Sequence, residues 1–219
     1  MNPTLIALIE RHLPSLASWW RARHLFSNAG SYLRQTGYLH SLQRNLPVDA
    51  KGKPLAFLNY PTLALLKGRL RSEFHLLEFG SGYSTAFFSR LVGSVTSIEH
   101  EAAWLERVAQ LVSDDPKVHL LHKPLGPEYT GAAAMAGGPF QVILVDGRMR
   151  HECAMASLPH LATDGVMIWD DSSRERYQAG IAQIVAQGFR ALRLEGLKPA
   201  GLGVDETTIL YRDGNCLGL

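Results

Sequence analysis

Residues 76–85 read Leu-Leu-Glu-Phe-Gly-Ser-Gly-Tyr-Ser-Thr: an apolar run, an acidic residue, then a glycine-rich turn that leads into a helix-forming segment. An apolar run without alternation fits a strand buried on both faces, as in parallel sheets covered by helices. Gly80 and Gly82 permit a tight turn and close approach of the backbone to a ligand. Ser84 or Thr85 is placed to cap the helix that follows. The order of events is that of a nucleotide-type cofactor site, with a departure from the dinucleotide fingerprint. Glu78 stands two residues before the first glycine, and Thr85 stands where the third glycine of G-x-G-x-x-G belongs. A carboxylate there repels a pyrophosphate and favours a cationic ligand, which disfavours an NAD-dependent oxidoreductase. Taken alone, a G-x-G turn is more often an ordinary strand-to-helix junction.

From residue 74 onward, short apolar runs alternate with helical stretches. The pattern predicts strands over 74–79, 94–99, 118–122, 141–146, 165–170, 189–195 and 207–212, and helices over 85–91, 102–112, 152–161 and 174–187. The crossover over 126–138 is rich in Gly and Ala and has room for only a short helix. No helix pattern separates the last two strands, so the last one is expected to run antiparallel. The expected fold is α/β: a doubly wound, mostly parallel, seven-stranded Rossmann-like sheet with an antiparallel last strand.

At 219 residues the chain is long enough for one domain and an appendage. We place a cofactor-binding domain over 71–219 and a helical N-terminal extension over 1–70. Within the extension, Leu5, Leu8, Ile9 and Leu13 recur at helical spacing, and Trp19, Trp20 and Phe26 continue a bulky apolar series. Such a face packs on the sheet or on a second copy of the chain, a homodimer, in preference to acting as a substrate lid. Pro47, Pro54 and Pro61 mark an irregular link over 46–61 before a helix at 62–70.

A net charge of +2 and the lack of any run of Lys and Arg give no support for a nucleic-acid partner. The first ten residues form neither a signal peptide nor a membrane span. Cys153 and Cys216 make no disulfide framework and lack metal-ligand spacing, which fits reduced thiols in a cytoplasmic protein. Cys153, in an apolar helical stretch, reads as packing.

Glu99 ends the second strand about 20 residues past the glycine turn, where a carboxylate accepts both hydroxyls of a ribose. His100 beside it lines the same pocket. Asp146 at the end of the fourth strand and Asp170 and Asp171 at the end of the fifth reach the edge where open α/β sheets bind ligands. Three carboxylates close together repel unless something compensates them. Arg148, Arg150, Arg174 and Arg176 can pair with them in a metal-free polar site; alternatively the acids bind Mg²⁺ or a similar hard cation. His151 follows the fourth strand and titrates near neutrality, which makes it a candidate general base, although a histidine opening a surface helix is the commoner case. The tail over 215–219 either closes over the site or packs against a neighbour.

The Glu-Phe-Gly-Ser-Gly turn resembles the E-x-G-x-G opening of the cofactor site in class I S-adenosylmethionine-dependent methyltransferases, whose ligand carries a sulfonium and no phosphate. Asp146 with Asp170-Asp171 resembles the acidic set of the metal-dependent catechol-type O-methyltransferases. That family has an Asp-Asn pair in place of Asp170-Asp171 and a lysine near the position of Arg148. From Leu42 onward the chain also resembles bacterial proteins described only as class I methyltransferases of unassigned substrate. The likeness runs through Asn45-Leu-Pro-Val-Asp49, Tyr60-Pro61, Ser97-Ile-Glu-His100, Val145-Asp-Gly-Arg148, Ile168-Trp-Asp-Asp171 with Arg174 and Tyr177, and Tyr211 to Gly218. The resemblance implies a methyltransferase acting on an oxygen or nitrogen of a small acceptor. Glu78, Gly80, Ser81, Gly82, Ser84, Thr85, Glu99, His100 and Asp146 would hold the cofactor, and Asp146 or His151 would serve as catalytic base. The rival class is a non-catalytic scaffold on the same fold, with the aromatic N-terminal segment as its interaction surface.

Overall fold

The computed structural model describes residues 11–112 and 115–219. Leu5, Leu8 and Ile9 lie outside the described residues. Among the described residues, the named helices before the sheet are α1 (Pro14–Ser27), α2 (Tyr32–Gln35), α3 (Tyr38–Arg44) and α4 (Tyr60–Arg69). The alternating part follows as β1 (His75–Phe79), α5 (Tyr83–Phe88), β2 (Ser94–Glu99), α6 (Ala102–Val112), β3 (Val118–His122), α7 (Pro127–Thr130), β4 (Phe140–Val145), α8 (Arg150–Ser157), β5 (Leu161–Asp170), α9 (Glu175–Val185), β6 (Arg190–Leu197) and β7 (Val204–Tyr211). The seven strands form one sheet in the order β3-β2-β1-β4-β5-β7-β6. All pairings are parallel except those of β7, which runs antiparallel to both β5 and β6. The last strand therefore inserts between its hairpin partner and β5.

Successive side chains of a strand point to opposite faces, so the unbroken apolar runs feed two cores. Leu76, Val142, Leu144, Val166, Ile168 and Ile209 face one side, with Leu58, Leu63 and Leu66 packed on them from α4 and the segment before it. Leu77, Phe79, Ile143, Val145, Met167, Trp169 and Leu210 face the other, under Cys153 and Ala154 of α8 and Ile181 and Ile184 of α9. Each central residue is fully buried. Truncating one such leucine to alanine costs roughly 2–5 kcal/mol.

The expected strands and helices form with shifted ends, each shift having a local cause. Helix α4 begins at Tyr60, ahead of the expected 62, because Asn59 caps it: Thr62 N donates to Asn59 Oδ1 at 3.0 Å. Helix α8 stops at Ser157, and β5 reaches back to Leu161, which pairs with Phe140 across a register shift. The helix after the glycine turn starts at Tyr83, so Ser84 lies inside it. Thr85 does the capping from the first turn, its Oγ1 accepting from Gly82 N at 3.0 Å.

The N-terminal region divides by burial. Tyr38, Leu55, Leu58 and Leu63 are part of the core, and the Tyr38 hydroxyl donates to Gly201 O at 2.7 Å. Helix α1 buries only Ala17, leaving Leu13, Leu16, Trp19, Leu25 and Phe26 about half exposed or more. The C-terminal tail does not close over the site. It packs on its own sheet at the edge remote from the carboxyl ends of the strands, where Cys216 N donates to Asp164 O and Leu217 joins the α4-side core. Among the described residues, no helix is long and apolar enough to cross a membrane.

Candidate active site

A cavity of about 870 Å³ opens at the carboxyl ends of β1, β2 and β4. That is near the upper end of the ~300–1,000 Å³ of ligand pockets and leaves room for two molecules of moderate size. Its walls include the glycine turn, Glu99, His100 and Trp104 at one end. Asp146 to Glu152 continue the wall, and Phe57, Arg174, Arg176 and Tyr177 stand at the other end.

The turn after β1 fits against the turn after β4. Gly80 has φ of +93°, a conformation natural only to glycine, and a Cβ there would lie 2.8 Å from Gly147 Cα. Gly147 is just as constrained: a Cβ on it would meet the Tyr129 hydroxyl at 2.1 Å. Tyr129 is fully buried and packs edge-on to Phe79 and His100. Neither Gly147 nor Tyr129 was singled out from sequence, since nothing local marks the contact.

Glu78 does not line the cavity. It is completely buried, accepts from Thr85 Oγ1, and leaves Oε2 without a hydrogen-bond partner. Burial, with the Glu99 charge adding to it, pushes its carboxyl from an ordinary 4.5 to about 7, against the opposing effect of the nearby Thr85, Ser97 and Ser84 hydroxyls. Any influence of Glu78 on a ligand is thus exerted through charge and not by contact.

Glu99 does line the cavity, folded onto the turn. Ser81 N and Oγ donate to its Oε2 at 3.1 and 3.2 Å, and His100 N and Glu101 N donate to Oε1 at 2.7 and 3.0 Å. His100 Nδ1 lies 2.7 Å from Oε1 but off the line of a hydrogen bond. With four donors in place, a ribose would take up Glu99 by displacing some of them. Trp104, missed in the sequence, donates from Nε1 to Ser81 O at 2.8 Å and stands beside Gly82. Its signal was an aromatic residue on the first turn of the helix after Glu99.

At the other end the three expected aspartates converge: one ligand atom from each of Asp146, Asp170 and Asp171 lies within 4.8 Å of the others. Lys198, from the loop between β6 and β7, sits among them. Its Nζ is 2.7 Å from Asp170 Oδ2, 2.7 Å from Asp171 Oδ1 and 3.0 Å from Asp205 Oδ2. Arg150 bridges Asp146 Oδ1 at 2.8 Å and Asp171 Oδ2 at 3.1 Å, while Arg174 reaches Asp171 Oδ2 at 2.6 Å. The Thr207 hydroxyl takes the remaining oxygen of Asp170. Of the four arginines expected to compensate the acids, Arg150 and Arg174 do so. Arg148 makes no ion pair with them, and Arg176 lies over the Tyr177 ring at 4.8 Å. Lys198 carries no local signal in the sequence, because its partners Asp170 and Asp171 lie 28 and 27 positions before it.

Asp171 holds φ of +51°, costly for a residue with a Cβ and sustained by its three cationic contacts. Burial works against its charge, but Lys198, Arg150 and Arg174 outweigh burial and hold its carboxyl below the ordinary range. Asp146 goes the other way. Burial first, then the Asp170 charge, pushes its carboxyl well above the ordinary range despite Arg150 and Lys198. Its side chain is 22% exposed, so solvent in the cavity moderates that push.

His151 borders the cavity, but its Nδ1 packs toward Gly180 of α9, 2.5 Å from where a Cβ would stand. Cys153 is buried packing, its thiol pushed up to about 12 by burial, which leaves it inert as a nucleophile.

No family model and no curated protein matches this sequence. Solved structures do. An O-methyltransferase from Bacillus cereus, solved in complex with SAH (S-adenosylhomocysteine), is similar at 18% identity with a TM-score of 0.58, covering 89% of this chain and 99% of that one. A methyltransferase-like protein from Silicibacter pomeroyi is 22% identical, with a TM-score of 0.54, over 74% of this chain and 90% of the other. An rRNA methylase from Streptococcus thermophilus is 16% identical at a TM-score of 0.54, over 68% and 92%. At such identities the likeness is one of architecture: this chain has the fold of the class I methyltransferases.

Proposed function

We propose that the protein is an S-adenosylmethionine-dependent methyltransferase acting on an oxygen or nitrogen of a small acceptor, with oxygen favoured by the likeness to O-methyltransferases. The observation that carries the reading is the convergence of the Gly80–Gly82 turn, Glu99 and Asp146 on one cavity large enough for cofactor and acceptor together. The unpartnered oxygen of buried Glu78, and the close fit of the two turns that glycine permits at 80 and 147, fit a cationic ligand lying along the turn.

The bound cofactor would supply a sulfonium-activated methyl group. The chain's own residues would do the rest. The glycine turn, with Ser81 and Ser84, would hold the amino-acid part under the field of Glu78, which becomes ionised as a cation approaches. Glu99 would exchange Ser81 and backbone donors for ribose hydroxyls, with His100 and Trp104 alongside. Asp146, joined to the turn through the Gly80–Gly147 contact, would accept the acceptor's proton, with its carboxylate oriented by Arg150 and its affinity for protons raised by its surroundings. Much of the rate would come from holding the nucleophile about 3 Å from the methyl in line for attack. His151 is the second candidate for the base.

Calorimetry with S-adenosylmethionine and S-adenosylhomocysteine tests the reading: binding is expected in the wild type and weakened binding in Glu99→Ala, and absence of both outcomes sinks it. The scaffold reading is favoured by one observation, the exposed apolar row of α1. A scaffold keeps its partner complex in Asp146→Asn and has no transfer activity to lose.

A further inference from the structure

We infer that Lys198 is a built-in cation standing where a divalent metal would otherwise sit, so that the Asp146, Asp170 and Asp171 cluster works without metal. The inference concerns the cluster and holds whether or not the cavity transfers methyl groups.

The three carboxylates have the closeness of a ligand set, yet the oxygens of Asp170 and Asp171 are already committed, and Asp146 Oδ1 is held by Arg150. Both oxygens of Asp170 are taken, one by Lys198 and one by Thr207. Both oxygens of Asp171 are taken, one by Lys198 and the other by Arg150 and Arg174. A magnesium ion needs oxygens at about 2.0–2.1 Å in near-octahedral order. An ion bound to Asp170 Oδ2 and Asp171 Oδ1 would occupy the space of an ammonium lying 2.7 Å from each. Two cations cannot share that space.

Lys198 is fixed there. Its side chain is 5% exposed, and its Nζ lies 5.3 Å from the centre of the Phe57 ring, which covers it on the cavity side. Burial alone would strip its charge, but Asp170 and Asp171 outweigh burial and hold the ammonium protonated. Lys198, Arg150 and Arg174 together bring three positive charges to Asp146, Asp170, Asp171 and Asp205, so the acids are compensated by side chains of the chain itself. Covered by Phe57, Lys198 cannot touch an acceptor. It is a positioning residue that fixes the acids and lowers the field on Asp146, and an acceptor is held by hydrogen bonds and packing in place of chelation.

The test is a Mn²⁺ titration followed by calorimetry and by the electron paramagnetic resonance signal of free Mn²⁺. Wild-type protein is expected to take up no Mn²⁺ at the cluster, and chelator is expected to leave S-adenosylhomocysteine binding unchanged. Lys198→Ala frees the carboxylates and should gain Mn²⁺ affinity by ~10-fold or more, with a thermal midpoint that Mn²⁺ raises and matched KCl does not. Lys198→Arg, which keeps a cation, should gain none. Stoichiometric Mn²⁺ uptake by the wild type that Asp170→Asn abolishes would overturn the inference. So would a folded Lys198→Ala protein with no more affinity than wild type. If Lys198→Ala does not fold, the wild-type and Asp170→Asn titrations decide alone. None of these readouts needs a methyl acceptor, so failure here is distinct from failure of the proposed activity.

Discussion

At the glycine-turn end of the cavity, Glu99, Ser81, His100, Glu101 and Trp104 close on one another within about two turns of neighbouring chain, mostly through backbone N–H groups and carbonyls. At the Asp146 end, a balance of charged side chains stands in and behind the wall: Asp146 after β4, Arg150 of α8, Asp170 and Asp171 at the end of β5, Arg174 before α9 and Lys198 of the β6–β7 loop, with Phe57 from before the sheet over the lysine. The first end is shaped by chain conformation and keeps its form when a distant residue changes. The second keeps its form only while every partner is present, because removing one member of a buried pair leaves an uncompensated charge at a cost of about 3–5 kcal/mol. A pocket built in these two ways has a fixed seat for one ligand and an adjustable one for the other.

The comparison breaks most visibly at Asp146. Asp146→Asn should lower methyl transfer roughly 10²–10⁴-fold while cofactor affinity stays within a few-fold; a parallel loss of cofactor in calorimetry would show that the two ends are not separable. In wild-type protein the same carboxyl, pushed above its ordinary range, should place the lower limb of the pH–rate profile well above the usual carboxylate region.

Glu78 sharpens the comparison next, as the carboxyl at the glycine-turn end that is completely buried and does not reach the cavity. Folded, its carboxyl titrates near 7, against an ordinary 4.5. Between those values the folded protein keeps a proton that the unfolded chain has lost, so stability falls as pH rises through the window, by up to about 3 kcal/mol. Glu78→Gln should flatten that fall in denaturant titrations at pH 5 and pH 8, and a fall of unchanged depth would mean that another group causes it. In the wild type, binding a cationic cofactor near pH 6 should release a proton, which calorimetry in buffers of different ionisation enthalpy detects.

Glu99→Ala removes a carboxylate whose bonds to a ribose are worth about 1.5–3 kcal/mol, so cofactor affinity should drop ~10–100-fold with turnover at saturating cofactor little changed. A fall in turnover at saturation would join the two ends functionally. The smallest effect is expected at His151, where alanine should cost less than ~10-fold in rate, since a surface histidine packed toward Gly180 adds orientation at most. A loss as deep as that of Asp146→Asn would transfer the role of base to the imidazole.

The same division governs what could be read in the sequence. Gly80, Gly82 and Glu99 were legible because strand, turn and helix follow one another within about twenty residues, and short-range pattern is what a sequence displays. Asp146, Asp170 and Asp171 were legible as a set because parallel strands deliver their ends to one edge. Their compensation was not, since Lys198 arrives from a hairpin whose strand order, β7 inside β6, no local pattern specifies. Gly147 and Tyr129 escaped for a related reason: their constraint is a contact between two turns, visible only when β1 and β4 lie side by side. The apolar series of α1 was read as a packing face, and in the described residues that face is open.

The placement of Lys198 also bears on how the molecule comes into being. A chain still being synthesised that has emerged only as far as β5 already has its glycine turn and its three aspartates, but neither the ammonium that neutralises them nor β7, the strand that carries Thr207. Asn59 waits as well, since its side-chain amide is bound by Leu194, Asp205 and Thr207. Until the final hairpin threads into the sheet, Arg150 is at hand for Asp146 and Asp171 but Asp170 lacks both Lys198 and Thr207, so the glycine-turn end of the cavity can be complete well before the acidic end is.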